Sequence, residues 1–315
     1  MLKNSERNFY NEETKFQFIE KKESEAILPK NYLITQFSKS YKFENELNKD
    51  ISNFTTKEII EYYKILGLSF GSINVLNSCL SQYTQWCIQN NTVKDNQNHF
   101  LEITQDIVAQ CVNSTLINMQ IVSKETIFNW VDAIPNPRDR FILLGLYEGV
   151  KGKDYCEFIN AKETDVDFAN NKLNLCTGRT LDISNKLVDV IKDCIKEDKY
   201  YSMTGSRCRV TDLDKSNLIV KNYPNINANI NSFQKGRRIY NATQRIFEFL
   251  GCPYMTANSV ITSGKLNYIL ENANNRNIKP VDYICSDLII EVEKQYDFKM
   301  VKSTFLNLYG RFLEK

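Results

Sequence analysis

The chain has 315 residues, of which 42% are hydrophobic and 25% are charged, and its formal net charge is +2. This length predicts two domains of roughly 100–200 residues each. A near-neutral net charge excludes a globally basic protein, so affinity for nucleic acid would have to come from local patches. The charged N-terminal region lacks a secretion signal, and no apolar run approaches the ~20 residues of a membrane span. We therefore expect a cytoplasmic protein without a membrane partner.

The use of cysteine and histidine argues against a metal site. Nine cysteines are scattered without a Cys-x-x-Cys pair, and His99 is the one histidine in the sequence. Zinc modules need closely spaced Cys or His ligands. We expect reduced thiols that pack as small apolar side chains, with no metal and no cofactor.

The first half of the sequence predicts a small helical domain. Residues 55–58 form a capping-box motif, and Gly67 is suited to end the helix that follows. Apolar residues then recur every three or four positions over 73–87, which indicates a second helix with one buried face. A further helix is predicted over 103–112, and a linker over 113–122.

The second half predicts helices around a small antiparallel sheet. Ser123 is a good N-cap for one helix, and a second is predicted over 139–147. Short apolar alternations within 166–183 predict three strands joined by turns. Everything after Ser184 is predicted to be helical, because its apolar residues recur at helical spacing.

The order of these elements resembles the tyrosine recombinases, or phage integrases, from about Asn53 onward. Residues 139–151 are similar to the family's helix that runs into its Gly-x-Arg box, and residues 164–168 are similar to the strand after it. Tyr309 occupies the place of the family's nucleophile near the C-terminus. The resemblance implies a protein in which two domains clamp a DNA duplex.

The domain assignment follows from the same resemblance. Residues 1–118 correspond to an N-terminal, helical, core-binding-like domain, and residues 119–315 correspond to a C-terminal, catalytic-like domain. The expected fold class is mainly α with a small antiparallel β-sheet.

Residues at the family's catalytic positions do not suit phosphodiester cleavage, which needs cations on the phosphate oxygens and a proton donor. Lys151 stands in place of the first Arg and lacks its bidentate fork. Asn258 and Ile261 stand in place of the family's His-x-x-Arg. Arg179 stands for the hairpin Lys and is a poor acid at neutral pH. Met300 stands where the family has His or Trp.

The single histidine leads to the same expectation. Because His99 lies in the first half of the sequence, the second domain has no imidazole of its own. Each lost electrostatic donor costs roughly 10²–10³ in rate. Tyr309 would then be an ordinary phenol with a pKa near ~10, and we expect the protein not to cut DNA.

Cations that could contact phosphates remain, and DNA binding depends on many dispersed contacts rather than on a few convergent groups. Residues 234–247 and 201–211 contain basic side chains and no acid. The predicted DNA-binding residues are Lys151, Lys153, Arg179, Arg207, Arg209, Lys235, Arg237, Arg238 and Lys265.

The leading hypothesis is a non-catalytic, sequence-specific DNA-binding regulator. Residues 133–140 resemble recombinase-derived proteins of SPβ-type Bacillus phages, whose lysogeny repressor has this fold without recombination activity. The expected partner is double-stranded operator DNA, with self-association on DNA and a regulatory protein partner left open. The alternatives are an active site-specific recombinase that uses Tyr309 and a protein–protein adaptor that does not bind DNA.

Overall fold

The structure is a computed structural model, and the residues it describes are 8–25, 30–203, 209–224 and 231–314. The chain divides into two compact units between Ser114 and Thr115, and each unit has its own hydrophobic core. The described residues are mostly helical, with five short strands in two antiparallel sheets. The fold class expected from the sequence is therefore confirmed.

The described residues of the first unit form helices joined by loops, and no strand. Its helices are α1 (Glu12–Ser24), α2 (Lys30–Leu47), α3 (Thr56–Leu66), α4 (Phe70–Gln89) and α5 (Gln105–Cys111), with 3-10 turns at Ile51–Asn53 and His99–Glu102. The predicted capping box is present, because Thr55 N–H donates to Glu58 Oε2 at 2.8 Å and Glu58 N–H donates to Thr55 Oγ1. Gly67 ends α3 with a φ of 57°, a conformation that glycine adopts without strain.

Helices α1 and α2 lie before residue 55, where the helices predicted from the sequence begin. A buried ion pair explains why the apolar periodicity of a helix is hard to detect in these two helices. Lys15 lies on the buried face of α1, and its Nζ contacts Glu44 Oε1 on α2 at 2.5 Å, with both side chains 0% exposed. Glu44 also accepts hydrogen bonds from Ser40 Oγ and from Ile51 N–H. A charged residue at a core position breaks the apolar periodicity from which a helix is predicted.

Other helices of the second unit pack around one central helix, α8. Its helices are α6 (Ser114–Gln120), α7 (Lys124–Ala133), α8 (Pro137–Glu148), α9 (Cys156–Asn160), α10 (Asn185–Lys196), α11 (Ser232–Phe249), α12 (Ala257–Asn275), α13 (Pro280–Cys285), α14 (Ile289–Tyr296) and α15 (Lys302–Tyr309). Its strands are β1 (Val166–Asp167), β2 (Lys172–Asn174), β3 (Thr180–Asp182), β4 (Lys199–Tyr201) and β5 (Val210–Asp212). Across the described residues, every helix is too short or too polar to cross a membrane.

The three strands predicted within residues 166–183 form an antiparallel sheet in the order β1-β2-β3. Leu173 pairs with Val166 on one side and with Leu181 on the other. Leu173 and Leu181 are buried, while their neighbours along each strand are exposed. This alternation is the pattern that predicted the sheet.

One expectation from the sequence was wrong. The region after Ser184 is not entirely helical, because β4 and β5 pair as a second antiparallel sheet. Residues 199–201 and 210–212 do not alternate between apolar and polar side chains, so the pairing of Tyr200 with Thr211 had no local signal in the sequence. The stretch predicted as a linker, residues 113–122, contains the boundary between the two units and also contains α6. After α6, Gln120 Nε2 donates to Tyr254 O and Val122 N–H donates to Ser263 Oγ.

Two glycines allow α12 to pack closely against α8 and α11 to pack closely against the turn that follows α8. A Cβ on Gly264 of α12 would lie 1.8 Å from Tyr147 O on α8. A Cβ on Gly236 of α11 would lie 2.1 Å from Asp154 O in the turn that follows α8. Both distances are far below van der Waals contact. These approaches determine where the side chains of α11 and α12 lie relative to Lys151 and Lys153.

Stability should fall as the pH rises from about 5.5 to about 8. Burial raises the pKa of Glu148 to about 7, although Ser184 N–H and Oγ donate to its carboxylate. Burial likewise raises the pKa of Glu197 to about 7. An acid whose pKa is raised on folding stabilises the protein below its unfolded pKa, and this contribution is lost as the pH passes through the folded pKa. We expect a loss on the order of 1 kcal/mol or more per group.

Denaturant unfolding of wild type and of Glu148→Gln at the two pH values measures this effect. Glu148→Gln should reduce the pH dependence, and Glu163→Gln, at an exposed position, should leave it unchanged. A wild-type stability that stays constant or increases over this range would contradict the prediction.

Candidate nucleic-acid interface

One face of α12 carries three polar residues, of which Asn258 and Lys265 were singled out from the sequence and Thr262 was not. Asn258, Thr262 and Lys265 recur at helical spacing, so their side chains lie on the same side of the helix. Ile261, three residues after Asn258, is 6% exposed and belongs to the core of the second unit. The position that resembles the family's second Arg is therefore filled by an apolar core residue.

Lys151 lies beside this face of α12. Its Nζ donates a hydrogen bond to Asn258 Oδ1 at 3.1 Å, and its backbone N–H donates to Glu157 Oε2 at 2.7 Å. Burial lowers the pKa of Lys151. Burial and, secondarily, the charge of Lys151 lower the pKa of Lys265 to about 8. Two ammonium groups thus lie close enough to repel each other, an arrangement that an anion between them would stabilise.

Lys265 is held in place by aromatic rings. Its Nζ lies 3.3 Å from the ring centroid of Phe298 and 5.9 Å from that of Tyr296. A ring face attracts an ammonium group. These contacts hold the Lys265 ammonium group beside the two rings.

Tyr309 is on α15 and its ring packs against Phe305, with a centroid distance of 5.1 Å. Burial raises its pKa, and a hydrogen bond with the Thr262 side chain opposes that rise. The hydroxyl group is therefore placed on the α12 face, but its phenol is harder to ionise than a free tyrosine. Sequence reasoning missed Thr262, although its spacing of four residues from Asn258 could have indicated it.

Arg179 lies between β2 and β3, where the sequence placed it, and its guanidinium is bound within the protein. Nη2 contacts Glu157 Oε2 at 2.6 Å and Oε1 at 2.8 Å, and Nε donates to Oε1 at 3.1 Å. The remaining donors reach the carbonyl oxygens of Gly149, Lys294 and Gln295. Glu157 is 0% exposed and Arg179 is 15% exposed. In this arrangement Arg179 joins the strands to α9 and α14.

Met300 and His99 belong to different units. Met300 is 8% exposed and belongs to the core of the second unit. The His99 ring, in the first unit, lies 3.1 Å from both Asp95 Oδ2 and Glu102 Oε1. Burial opposes a rise in the pKa of His99, and the hydrogen bonds to these carboxylates outweigh it and raise the pKa.

Helix α11 carries the predicted cluster of cations. Lys235 and Arg237 are exposed and Arg238 is half-buried. Lys235 and Arg237 flank Gly236, which contacts Asp154 in the turn after α8. This contact places the exposed Lys153 next to the start of α11. The turn also contains the exposed carboxylate of Asp154 itself.

Of the other predicted cations, Arg209 is exposed just before β5, and its carbonyl accepts a hydrogen bond from Ser202 N–H at 2.8 Å. Arg207 lies outside the described residues. Within the described ranges the cysteines are free thiols, and no cluster of three or more His, Cys, Asp or Glu side chains could hold a metal ion.

Five of the predicted residues lie in three parts of the second unit, of which the turn after α8 contacts both α11 and α12. They are Lys151, Lys153, Lys235, Arg237 and Lys265. Among the described residues, none of these five side chains forms an ion pair. We call these five residues the basic surface.

The fold and this surface define a two-unit, mainly helical protein with a cationic face on its second unit. Residues 121–314 match the sequence model described as "MrpR, C-terminal catalytic domain", and residues 9–89 match "MrpR, N-terminal core-binding domain". The chain belongs to the MrpR family. A search of curated proteins found no match.

Solved structures of recombinases are similar over nearly the whole chain. A crystal structure of XerA recombinase is 14% identical, with 95% of this chain and 98% of that chain covered and a TM-score of 0.35. A structure of the Tn1549 transposon integrase in complex with a circular intermediate DNA is 12% identical, with 93% and 94% covered and a TM-score of 0.45. A second complex of the same integrase is 11% identical, with equal coverage and TM-score.

Proposed function

We propose that this protein binds double-stranded DNA at specific operator sites without cutting it, and that it acts as a transcriptional repressor controlling prophage lysogeny. The observation that carries the proposal is the convergence of the unpaired cations of the basic surface. Contacts between such cations and phosphates favour DNA binding, because they release counterions from DNA. An unpaired cation also does not have to break an ion pair with a protein carboxylate before it binds a phosphate.

The residues at the positions that resemble the family's catalytic residues support binding more than cleavage. Ile261 offers no charge to a pentavalent phosphate, and the guanidinium of Arg179 is already bound to Glu157. Burial raises the pKa of Tyr309, which disfavours the phenolate that would attack phosphorus. Lys151 and Asn258 can still donate hydrogen bonds to a phosphate that approaches α12.

One observation favours the alternative, an active recombinase. The pKa of Lys265 is lowered to about 8, close to the range in which a lysine acts as a general acid at neutral pH. Its neighbour Lys151 could then hold the phosphate while Lys265 protonates the leaving oxygen. This chemistry would require Tyr309 as nucleophile, so the two functions differ in whether a covalent adduct forms.

A suicide substrate separates the two functions. The substrate is a bound DNA site, identified by mapping bound DNA in the host, with a nick that traps any covalent intermediate. We expect retarded DNA but no adduct on a denaturing gel, and we expect Tyr309→Phe to bind and repress as wild type does. An adduct that disappears in Tyr309→Phe would establish the recombinase. Absence of binding at low salt would overturn the proposal.

Removing cations of the basic surface should weaken DNA binding and reduce its salt dependence. The slope of log affinity against log salt should become smaller by about 0.9 for each phosphate that is no longer neutralised. We expect Arg237→Ala to show this change and Lys235→Ala/Arg237→Ala to show about twice as much. Filter binding between about 50 and 200 mM salt measures the slope.

Lys192→Ala is the matched control, because Lys192 is an exposed helical lysine paired with Asp189 at 3.2 Å. Its slope should equal that of wild type. If the double variant retains the wild-type slope, Lys235 and Arg237 do not contact DNA.

A further inference from the structure

A cavity of about 260 Å³ lies between the start of α8, the loop after β5 and one face of α11. Its volume is just below the ~300–1,000 Å³ usual for small-molecule sites. Among the described residues that line it, four are cationic and none is acidic. The lining residues that matter here are Arg138, Lys235, Arg238, Arg245, Asn222, Asn241, Tyr223 and Ile239.

Arg138 is the deepest of these cations. It is 6% exposed, and its guanidinium carbon lies 5.3 Å from the ring centroid of Tyr200 and 5.4 Å from that of Tyr223. Nη1 donates to Lys221 O at 3.2 Å. Among the described residues, Nε has no hydrogen-bond partner. A buried guanidinium nitrogen without an acceptor is costly, so a ligand oxygen that reached it would be strongly favoured.

The nearest carboxylate does not satisfy Arg138. Asp139 Oδ1 lies 3.8 Å from Arg138 Nε, which is too far for a hydrogen bond, and this oxygen also has no partner among the described residues. Burial raises the pKa of Asp139, while the charge of Arg138 opposes that rise. A carboxyl group that ionises less readily also repels an incoming anion less.

Helix α11 supplies the other cations. Lys235, Arg238 and Arg245 recur at helical spacing along one face. Nη1 of Arg238 is buried and, within the described part of the chain, has no partner. Two arginines from different elements that line one cavity therefore each have a donor without a partner among the described residues. This geometry distinguishes the cavity from a surface on which cations are fully hydrated.

From this geometry we infer that the cavity binds a small phosphomonoester, with the terminal phosphate on Arg138, Arg238 and Arg245. Arginine guanidinium groups match phosphate oxygens in geometry and charge. The rest of the ligand lies against Ile239 and Tyr223, where Asn222 and Asn241 can hydrogen-bond to it. The remaining volume suits a molecule no larger than a mononucleotide or a sugar phosphate.

A phosphate within duplex DNA fits this cavity less well. A backbone diester is substituted on both sides and carries one charge, so it cannot direct three free oxygens at a guanidinium that is 6% exposed. A terminal phosphate carries nearly two charges at neutral pH, since its second pKa is near ~6. The cationic lining and the depth of Arg138 both favour the monoester.

Isothermal titration calorimetry on the full chain, without DNA and at constant ionic strength, tests the inference. The probes are AMP, ribose 5-phosphate and inorganic phosphate, with adenosine and ribose as unphosphorylated controls. We expect at least one of the two monoesters to bind, and neither control to do so. Binding should weaken about tenfold or more in Arg238→Gln and in Arg245→Gln, because each removes a charged donor.

Arg276→Gln is the matched control, since Arg276 is exposed and paired with Glu291. It should bind as wild type does. Three results would overturn the inference: no binding of either monoester, binding of inorganic phosphate alone, or binding unaffected in both cavity variants. A loss of duplex affinity in Arg245→Gln, with no small phosphate bound, would assign the cavity to DNA instead.

Discussion

Replacing Glu157 by Ala is expected to lower the free energy of unfolding of the second unit by about 3–5 kcal/mol, the range for breaking a buried ion pair from one side. Glu157 is 0% exposed, and it accepts hydrogen bonds from Arg179, from Lys151 N–H and from Thr177 Oγ1. Its loss would leave the Arg179 guanidinium enclosed without a counter-charge. Urea unfolding monitored by circular dichroism measures the change.

A comparison with a surface ion pair isolates the effect of burial. Glu271 pairs with Lys124 at 2.7 Å, with the two side chains 48% and 40% exposed. Glu271→Ala should therefore change stability by at most about 1 kcal/mol. In a double-mutant cycle, Arg179→Ala should reduce the cost of Glu157→Ala, because the stranded charge is then absent. A cost for Glu157→Ala no larger than that for Glu271→Ala would show that Arg179 is free of Glu157 in solution.

The second large effect is expected at Gly264, where α12 crosses α8. A Cβ there would lie 1.8 Å from Tyr147 O and 2.8 Å from Tyr296 Oη. The Tyr296 hydroxyl donates to Tyr147 O at 2.8 Å, so the added methyl group would also disturb that hydrogen bond. Gly264→Ala should cost about 1–3 kcal/mol or more, because backbone atoms cannot rotate away as a side chain can.

Gly71 provides a matched control on a helix of the first unit. A Cβ at Gly71 of α4 would meet no atom within 4 Å. Gly71→Ala should therefore be neutral or stabilising by up to about 1 kcal/mol, because alanine loses less conformational entropy in a helix. Thermal unfolding of both variants makes the comparison. If Gly264→Ala were as stable as Gly71→Ala, α12 and α8 would not be in the close contact described.

The Gly264 variant also bears on the basic surface. Asn258, Thr262 and Lys265 project from α12, so displacing this helix would separate them from Lys151. Under conditions where Gly264→Ala remains folded, it should bind DNA more weakly because Lys265 has moved, although no cation has been removed. Measuring its salt slope beside that of Arg237→Ala distinguishes these causes.

The sequence by itself determined the features that depend on neighbouring residues. Thr55 and Ser123 were predicted as helix caps, and both accept a hydrogen bond from the backbone three residues on. The β1-β2-β3 sheet followed from alternation and turn residues over fewer than about twenty positions. The prediction that Ile261 stands where the family has its second Arg also comes from the sequence, because it needs a motif and no distances.

Only the tertiary structure decided how distant residues meet. Lys151 and Asn258 are 107 positions apart and share a hydrogen bond, and Arg179 reaches carbonyl groups more than 110 positions away. The sequence predicted the same role for Arg237 and Arg238, yet Arg237 is exposed and Arg238 is half-buried beside a cavity. The physical reason is that the residue type determines charge and hydrogen-bonding capacity, whereas tertiary packing determines which group a side chain contacts. Glycine contacts such as that at Gly264, which position whole helices, leave no periodic signal in the sequence.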